Sequence, residues 1–181
     1  MTRRPQAVLI GDSDATPDGL RLAEAVGALL ARLGMTLVTG GRGGVMEAAS
    51  RAAFAAGTTT VGIVPSTDMG EANPWCGVVI PSGLGHARNA VTALAGDLVI
   101  VVGGGAGTLS EIAFAWIYRR PILVLAGSGG WADAVAEHPP DTRNTSSITR
   151  CSDLAAFEAA IRRVCRERGL ELAAARASEH R

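Results

Sequence analysis

The sequence predicts an α/β fold: a three-layer, doubly wound, mostly parallel sheet in a single domain spanning residues 1–181. Short apolar runs rich in β-branched residues alternate with alanine-rich stretches of helical period, as in chains that build a parallel sheet. The run 98–102 is apolar throughout, which is typical of a strand covered on both faces. The 181 residues suit one domain, and the sequence shows no internal repeat and no linker.

The first half of the chain contains three predicted strands and two predicted helices. The first strand is 7–10, and Thr16 and Pro17 are expected as the N-cap and first position of a helix that Gly34 ends after Leu33. The other elements of this half are a strand at 37–38, a helix at 45–56, a strand at 59–64 and a loop at 66–76.

The second half continues the alternation. Its predicted elements are a brief strand at 78–80, a helix at 85–95, the strand at 98–102, a helix ending near 118, a strand at 121–125, a turn at 127–130 and a polar, irregular stretch at 138–149. Ser152 is expected to cap a last helix, whose inner stripe is Leu154, Phe157, Ile161 and Val164. Residues 172–181 are expected to form a frayed tail.

The charged residues exclude several function classes. Arginine and lysine number 17 against 17 aspartate and glutamate, so the chain lacks the basic footprint of a duplex-binding or polybasic membrane protein. We therefore expect neither a nucleic acid nor a membrane as partner. All 17 of these basic residues are arginine, and the sequence contains no lysine. This excludes Schiff-base chemistry with pyridoxal phosphate and a Walker A phosphate loop, both of which need lysine.

Cysteine usage gives no sign of a metal site. Cys76, Cys151 and Cys165 form no C-x-x-C pair and have no histidine at zinc spacing. Free thiols of this kind suit a reducing compartment, and the apolar run near the start is too short for a signal peptide or a membrane span. The sequence therefore predicts a cytoplasmic protein.

Three glycine-rich turns follow predicted strand ends, at 11–17, 40–44 and 103–108. In an open parallel sheet such turns share one edge, where backbone N–H groups and helix N-termini bind anions. None of them has the dinucleotide-binding spacing G-x-G-x-x-G, and glycine-rich turns also occur for steric reasons alone. The predicted phosphate-binding set is Gly41, Arg42, Gly43, Gly44, Gly103, Gly104, Gly105, Gly107 and Thr108, with Gly11, Ser13, Met46 and Asn89 beside the ligand.

Glu111 is the sharpest candidate for chemistry. It is predicted in the first helical turn after the third glycine turn, on the same face as Thr108, where the helix dipole would keep it ionised. We expect it to point past a bound phosphate towards a sugar, where it would hydrogen-bond hydroxyls, orient water or stabilise an oxocarbenium-like transition state. The alternative is that Thr108 and Glu111 form a capping box that only starts the helix.

Two arginines lie at the same predicted edge. Arg88 opens the helix after the fourth strand, and its planar guanidinium suits a phosphate, although a solvated helix arginine is the plainer alternative. Arg42 lies inside the second glycine turn, in the kind of loop where binding residues concentrate.

Four segments together resemble a known superfamily. They are T-G-G-R-G-G-V-M-E-A at 39–48, V-G-I-V-P at 61–65, A-R-N-A at 87–90 and G-G-A-G-T-L-S-E at 104–111. In this order they resemble the Rossmann-like superfamily that includes the lonely-guy (LOG) cytokinin-activating phosphoribohydrolases, often mislabelled as lysine decarboxylases. The branch of molybdenum-cofactor carrier proteins is the most similar. The resemblance covers roughly residues 6–126.

The resemblance assigns roles by position. Glu111 and Arg88 match the catalytic pair of the phosphoribohydrolases, and Gly104, Gly105, Gly107 and Thr108 match their 5′-phosphate loop. Gly103 stands where those enzymes have proline, Asn89 where they have lysine, and Glu47 where they have glycine. All three departures are similar to the carrier branch.

The resemblance implies a binding protein for a phosphorylated, nucleotide-like ligand, either the molybdenum cofactor or a nucleoside monophosphate, with no required cofactor. The alternative is a phosphoribohydrolase that cleaves the N-glycosidic bond of a nucleoside 5′-monophosphate; lysine decarboxylation is not expected. Relatives assemble through helices beside the site, which implies a homo-oligomer, dimer or tetramer, with Phe114, Trp116 and Tyr118 on the shared face.

Overall fold

Seven parallel strands form one sheet in the computed structural model, which describes residues 3–143 and 146–173. Every neighbouring pair of strands is parallel, in the order β4-β3-β2-β1-β5-β6-β7. The strands are β1 (Gln6–Gly11), β2 (Thr36–Thr39), β3 (Thr60–Val64), β4 (Val78–Pro81), β5 (Leu98–Val102), β6 (Ile122–Leu125) and β7 (Ile148–Cys151).

Helices cover both faces of this sheet, which confirms the predicted three-layer, doubly wound fold. One core cluster joins the sheet to α1, α2 and α6, and a second joins its other face to α4 and α5. The α-helices of the described residues are α1 (Pro17–Arg32), α2 (Val45–Ala55), α3 (Arg88–Leu94), α4 (Ala106–Ile117), α5 (Gly130–Glu137) and α6 (Leu154–Glu167).

The strand order reverses next to β1. From β1 the chain proceeds through β2 and β3 to β4 at one edge, then returns to place β5 on the other side of β1. The turns after β1 and β5 therefore diverge into helices on opposite faces and leave a crevice at the carboxyl edge of the sheet. Open α/β sheets bind ligands at this switch point.

Of the two N-cap residues predicted from the sequence, the structure confirms one. Thr16 is the N-cap of α1, as predicted, and its Oγ1 accepts a hydrogen bond from Gly19 N at 3.1 Å. The prediction of Ser152 as the cap of α6 is wrong. Asp153 is the N-cap, because its Oδ1 reaches Ala156 N at 2.8 Å in the first turn, whereas Ser152 lies one residue too early and donates to Asp153 instead.

The stretch 138–149 was expected to be irregular, and this is wrong at its end. Residues 148–151 form β7, which pairs with β6 along the sheet edge. Sequence reasoning also missed α5. The polar pattern of β7 reflects its partly exposed edge position, and its pairing partner β6 lies more than twenty residues earlier in the chain.

The predicted tail 172–181 lies outside the described residues from 174 onward. Before that point the chain is held in place, because Ala173 N donates to Leu33 O at 3.0 Å and Leu172 packs against the first core cluster.

Candidate functional site

The turns after β1, β2 and β5 meet around one cavity of about 530 Å³ at the carboxyl edge of the sheet. This volume is in the range of small-molecule sites. Ten of the fifteen residues that the sequence assigned to a ligand line it: Gly11, Ser13, Arg42, Met46, Arg88, Asn89, Gly105, Gly107, Thr108 and Glu111.

Five predicted phosphate-binding glycines do not line the cavity: Gly41, Gly43, Gly44, Gly103 and Gly104. Three of them donate their backbone amides in hydrogen bonds to neighbouring side chains. Gly41 N donates to Thr39 Oγ1 at 3.1 Å, Gly103 N to Ser128 Oγ at 3.1 Å and Gly104 N to Asp12 Oδ2 at 2.7 Å. These amides are therefore already satisfied, and a ligand would have to displace a side chain to reach them.

The first turn of α4 supplies the free donors of the cavity wall. The N-cap is Gly105, which carries no side chain to cap the helix, and the amides of residues 105–108 make no hydrogen bond within the described parts of the chain. The first N–H groups of a helix lack intrahelical acceptors and lie at the positive end of its dipole. They form a cradle suited to an anion.

Arg88 crosses from α3 to the second glycine turn. Its side chain is 9% exposed, its guanidinium Nη1 lies 3.4 Å from Thr92 Oγ1, and its Nε has no hydrogen-bond partner in the described residues. A side chain at Gly40 would collide with Nη1, so the glycine at that position makes room for the guanidinium. A buried cation with an unsatisfied donor at a cavity wall is costly unless a ligand completes it.

Glu111 lies in the second turn of α4, six residues into the helix, and is 7% exposed. The predicted capping box is absent, because the N-cap is Gly105 and Thr108 is already inside the helix. The dipole does not keep Glu111 fully ionised at neutral pH. Burial raises its pKa to about 7, and the opposing charge of Arg88 only reduces this rise.

Charges across the cavity act on one another. Burial lowers the pKa of Arg88, the negative charge of Glu111 raises it, and the positive charge of Arg42 lowers it. Arg42 itself is half exposed and pairs with Glu71 at 3.4 Å, so its guanidinium stays accessible. Two guanidinium groups and a helix N-terminus thus bring positive charge to the cavity, whose wall also contains two carboxyl groups, that of Asp12 and that of Glu111 with its pKa of about 7.

The SLOG cluster4 family model matches residues 4–156. The chain belongs to the SLOG cluster4 family. An uncharacterized protein of Archaeoglobus fulgidus is 40% identical over 111 residues, which is 61% of this chain and 72% of that one.

Two solved structures extend the comparison for this SLOG cluster4 protein. The molybdenum cofactor binding protein of the phototrophic bacterium Rippkaea orientalis is 33% identical, with a TM-score of 0.80 over 91% of this chain and 99% of that one. The molybdenum cofactor carrier protein of Chlamydomonas reinhardtii is 29% identical, with a TM-score of 0.77 over the same shares. The predicted superfamily resemblance is confirmed, and the similarity supports a ligand-binding role.

Sequence reasoning missed five residues that line the cavity of the SLOG cluster4 protein: Asp12, Pro65, Gly85, His86 and Ala106. Asp12 carried an available signal, since it is an acidic residue directly after the first strand, at the edge where ligands bind. Pro65 and Gly85 come together at the wall although they lie twenty residues apart in the chain, because Gly85 N donates a hydrogen bond to Pro65 O at 2.9 Å.

Neither a metal site nor a membrane span is found among the described residues of the SLOG cluster4 protein. No group of three or more histidine, cysteine, aspartate or glutamate side chains there is arranged to hold a metal ion. No helix within 3–143 and 146–173 is both long enough and apolar enough to cross a membrane.

Proposed function

We propose that this SLOG cluster4 protein is a cytoplasmic binding protein for a phosphorylated, nucleotide-like ligand, of the class that includes the molybdenum cofactor. The observation that carries the proposal is the buried Arg88, whose Nε has no hydrogen-bond partner in the described residues, at the wall of the same cavity as the free amides of α4. The three free cysteines accord with a reducing compartment.

Each group of hydrogen-bond donors in the cavity has its own role in binding the ligand. The amides of residues 105–108 hold the terminal phosphoryl group, because they are adjacent, unpaired and at the helix N-terminus. Arg88 provides a fixed, desolvated charge, and Arg42 an adaptable one that exchanges Glu71 for the ligand. The similarity to two proteins named for the molybdenum cofactor supports a pterin phosphate as the ligand.

Arg88→Met tests this proposal. The variant keeps an apolar stem in the buried site and removes the charge, and we expect the affinity for the ligand to fall about tenfold to a hundredfold, the usual worth of a charged hydrogen bond. Isothermal titration with molybdopterin, with the molybdenum cofactor and with a panel of nucleoside monophosphates measures it.

Arg21→Met is the matched control, since Arg21 is exposed on α1 and pairs with Asp18. It should leave every affinity unchanged. Equal affinities for wild type and Arg88→Met, or no binding of any phosphorylated compound by the wild type, would contradict the proposal.

A second candidate is hydrolysis of the N-glycosidic bond of a nucleoside 5′-monophosphate. The observation that favours it is Glu111, a buried carboxyl group at the cavity wall with a pKa of about 7, where a general acid or base works well at neutral pH. Release of ribose 5-phosphate from nucleoside monophosphates, lost in a folded Glu111→Gln, would establish it. If none of the nucleoside monophosphates is cleaved although ligands bind, the hydrolysis candidate is wrong and the binding role remains.

We further propose that the protein is a homo-oligomer. Val78 and Ile80 are about half exposed, although they share a sheet face with the buried Ile63. Further exposed apolar residues are Val91 on α3 and Ile117 and Tyr118 at the end of α4. Trp116, which the sequence placed on the shared face, is only 3% exposed and belongs to the second core cluster. A second copy of the same chain is the proposed occupant, as the superfamily resemblance implies.

A further inference from the structure

Asp12 links the glycine turns across the switch point. Its Oδ2 accepts a hydrogen bond from Gly104 N at 2.7 Å, and a side chain at Gly103 would collide with the same oxygen. Its main-chain O accepts a hydrogen bond from Val45 N at 3.0 Å, at the start of α2. The residue also lines the cavity. A negative charge is thus fixed inside the third glycine turn before any ligand binds.

This carboxylate sets a boundary on the anion cradle. The amides of residues 105–108 are unpaired, whereas the next donor along the turn, Gly104 N, is occupied by Asp12, and Gly103 N is occupied by Ser128. An anion that extends from α4 towards β1 therefore meets a carboxylate and not a further donor. Two negative charges at hydrogen-bond range repel strongly where the wall is partly dehydrated.

We propose that Asp12 is a specificity-determining residue that restricts the cradle to one phosphoryl group, so that the protein accepts phosphate monoesters and rejects ligands with a diphosphate in that position. The inference rests on the proposed binding function and deepens it. Rejection by a fixed like charge is a form of discrimination that acts on the wrong ligand without added contacts to the right one.

Asp12→Asn separates the charge of Asp12 from its hydrogen bond. The asparagine oxygen still accepts from Gly104 N, so the turn keeps its shape while the negative charge is lost. Asp14→Asn is the matched control. Asp14 is exposed two residues further on, outside the main cavity, and its substitution changes the net charge by the same amount.

The experiment is isothermal titration at pH 8 with two probe pairs, adenosine 5′-monophosphate against adenosine 5′-diphosphate and inorganic phosphate against pyrophosphate. We expect the wild type and Asp14→Asn to prefer the monophosphate member by about tenfold or more. In Asp12→Asn we expect this preference to fall at least about fivefold, chiefly through tighter binding of the diphosphate member.

A wild type that binds the diphosphate member equally well overturns the inference, as does an Asp12→Asn variant that keeps the wild-type preference. Binding of the monophosphate with either of these results leaves the proposed function standing. A wild type that binds neither probe pair nor the molybdenum cofactor overturns both. Circular dichroism checks the fold; if Asp12→Asn unfolds, Asp12→Ser replaces it, and if both unfold, the wild-type preference alone decides.

Discussion

Glu111 and Arg88 are held at the cavity wall in a state that lowers the free energy of unfolding. Burial raises the pKa of the carboxyl group to about 7 and lowers that of the guanidinium, and the two side chains form no ion pair within the described residues. Groups kept ionisable and partly unsatisfied in a cleft are typical of binding and active sites, where stability is exchanged for function.

A pH-dependent stability follows for Glu111→Gln. The folded pKa of Glu111 is raised above the ordinary value of 4.5, so the folded state binds the proton more tightly than the unfolded state. Its contribution to the free energy of unfolding is therefore full below about pH 4.5 and is lost as the pH rises to about 7. Glutamine mimics the protonated form, so we expect the variant to exceed wild type by on the order of 2 kcal/mol at pH 8 and by little at pH 5.

Urea unfolding at both pH values measures this difference. Glu137→Gln, at an exposed position on α5, is the matched control for the loss of one negative charge. A Glu111→Gln variant that is less stable than wild type at pH 8 would contradict this prediction and would show that the carboxylate stabilises the fold through Arg88.

At the scale of one element, the turn into α4 contains glycines of two kinds. Gly104 has a φ of +115°, and a side chain there would collide with Thr108, so this glycine is required by the shape of the turn. Gly105 and Gly107 have no atom within 4 Å of the position that a Cβ would take. Nothing in the folded chain requires them, which leaves the cavity that they line as the reason for their small size.

Alanine substitutions separate these two kinds. Gly104→Ala should cost about 2 kcal/mol or more in the free energy of unfolding, from the strained φ and the collision. Gly107→Ala, inside the helix, should leave it unchanged or raise it by about 0.5 kcal/mol, whereas Gly105→Ala, at the N-cap, should lower it by about 0.5–1 kcal/mol. Both should weaken phosphate binding about tenfold. Chemical unfolding and titration with a nucleoside monophosphate measure the two effects. If Gly105→Ala and Gly107→Ala both bind the nucleoside monophosphate as tightly as the wild type, the anion does not bind at this turn.

At the scale of the whole molecule, exposed apolar residues occur on the edge strand β4 (Val78 and Ile80), on α3 (Val91) and at the end of α4 (Ile117 and Tyr118). Exposed apolar residues that form a patch mark an interface in proteins that function in water. An interface next to α3, which carries Arg88, would place the cavity close to the junction of two copies.

Ile117→Arg tests the assembly. Ile117 is 55% exposed, so a charge there is tolerated by the single chain but would be buried in an interface. We expect a shift from dimer or tetramer towards monomer in light scattering coupled to size exclusion, with an unchanged circular dichroism spectrum. Ala28→Arg, at an exposed position on α1 in the opposite layer, should not shift the mass. A monomeric wild type would contradict the proposed oligomer.

The alternating strands and helices, the shared edge of the three glycine turns and the superfamily could all be predicted from the amino-acid sequence, because each of these depends on local period, turn residues and short motifs. The start of α1 at Thr16 is such a case, since a cap and its acceptor lie three residues apart. Arg88 and Glu111 were found from the sequence as candidates because their segments match known motifs.

Which groups are free for a ligand, and in what charge state, depends on how the chain folds and could not be predicted from local sequence. Whether Gly104 N is free depends on Asp12, ninety-two residues away, and the pKa of Glu111 depends on how far the packed helices exclude water from it. The edge strand β7 likewise forms because β6 lies beside it. Burial and long-range hydrogen bonds are properties of the assembled chain, so no local pattern of residues encodes them.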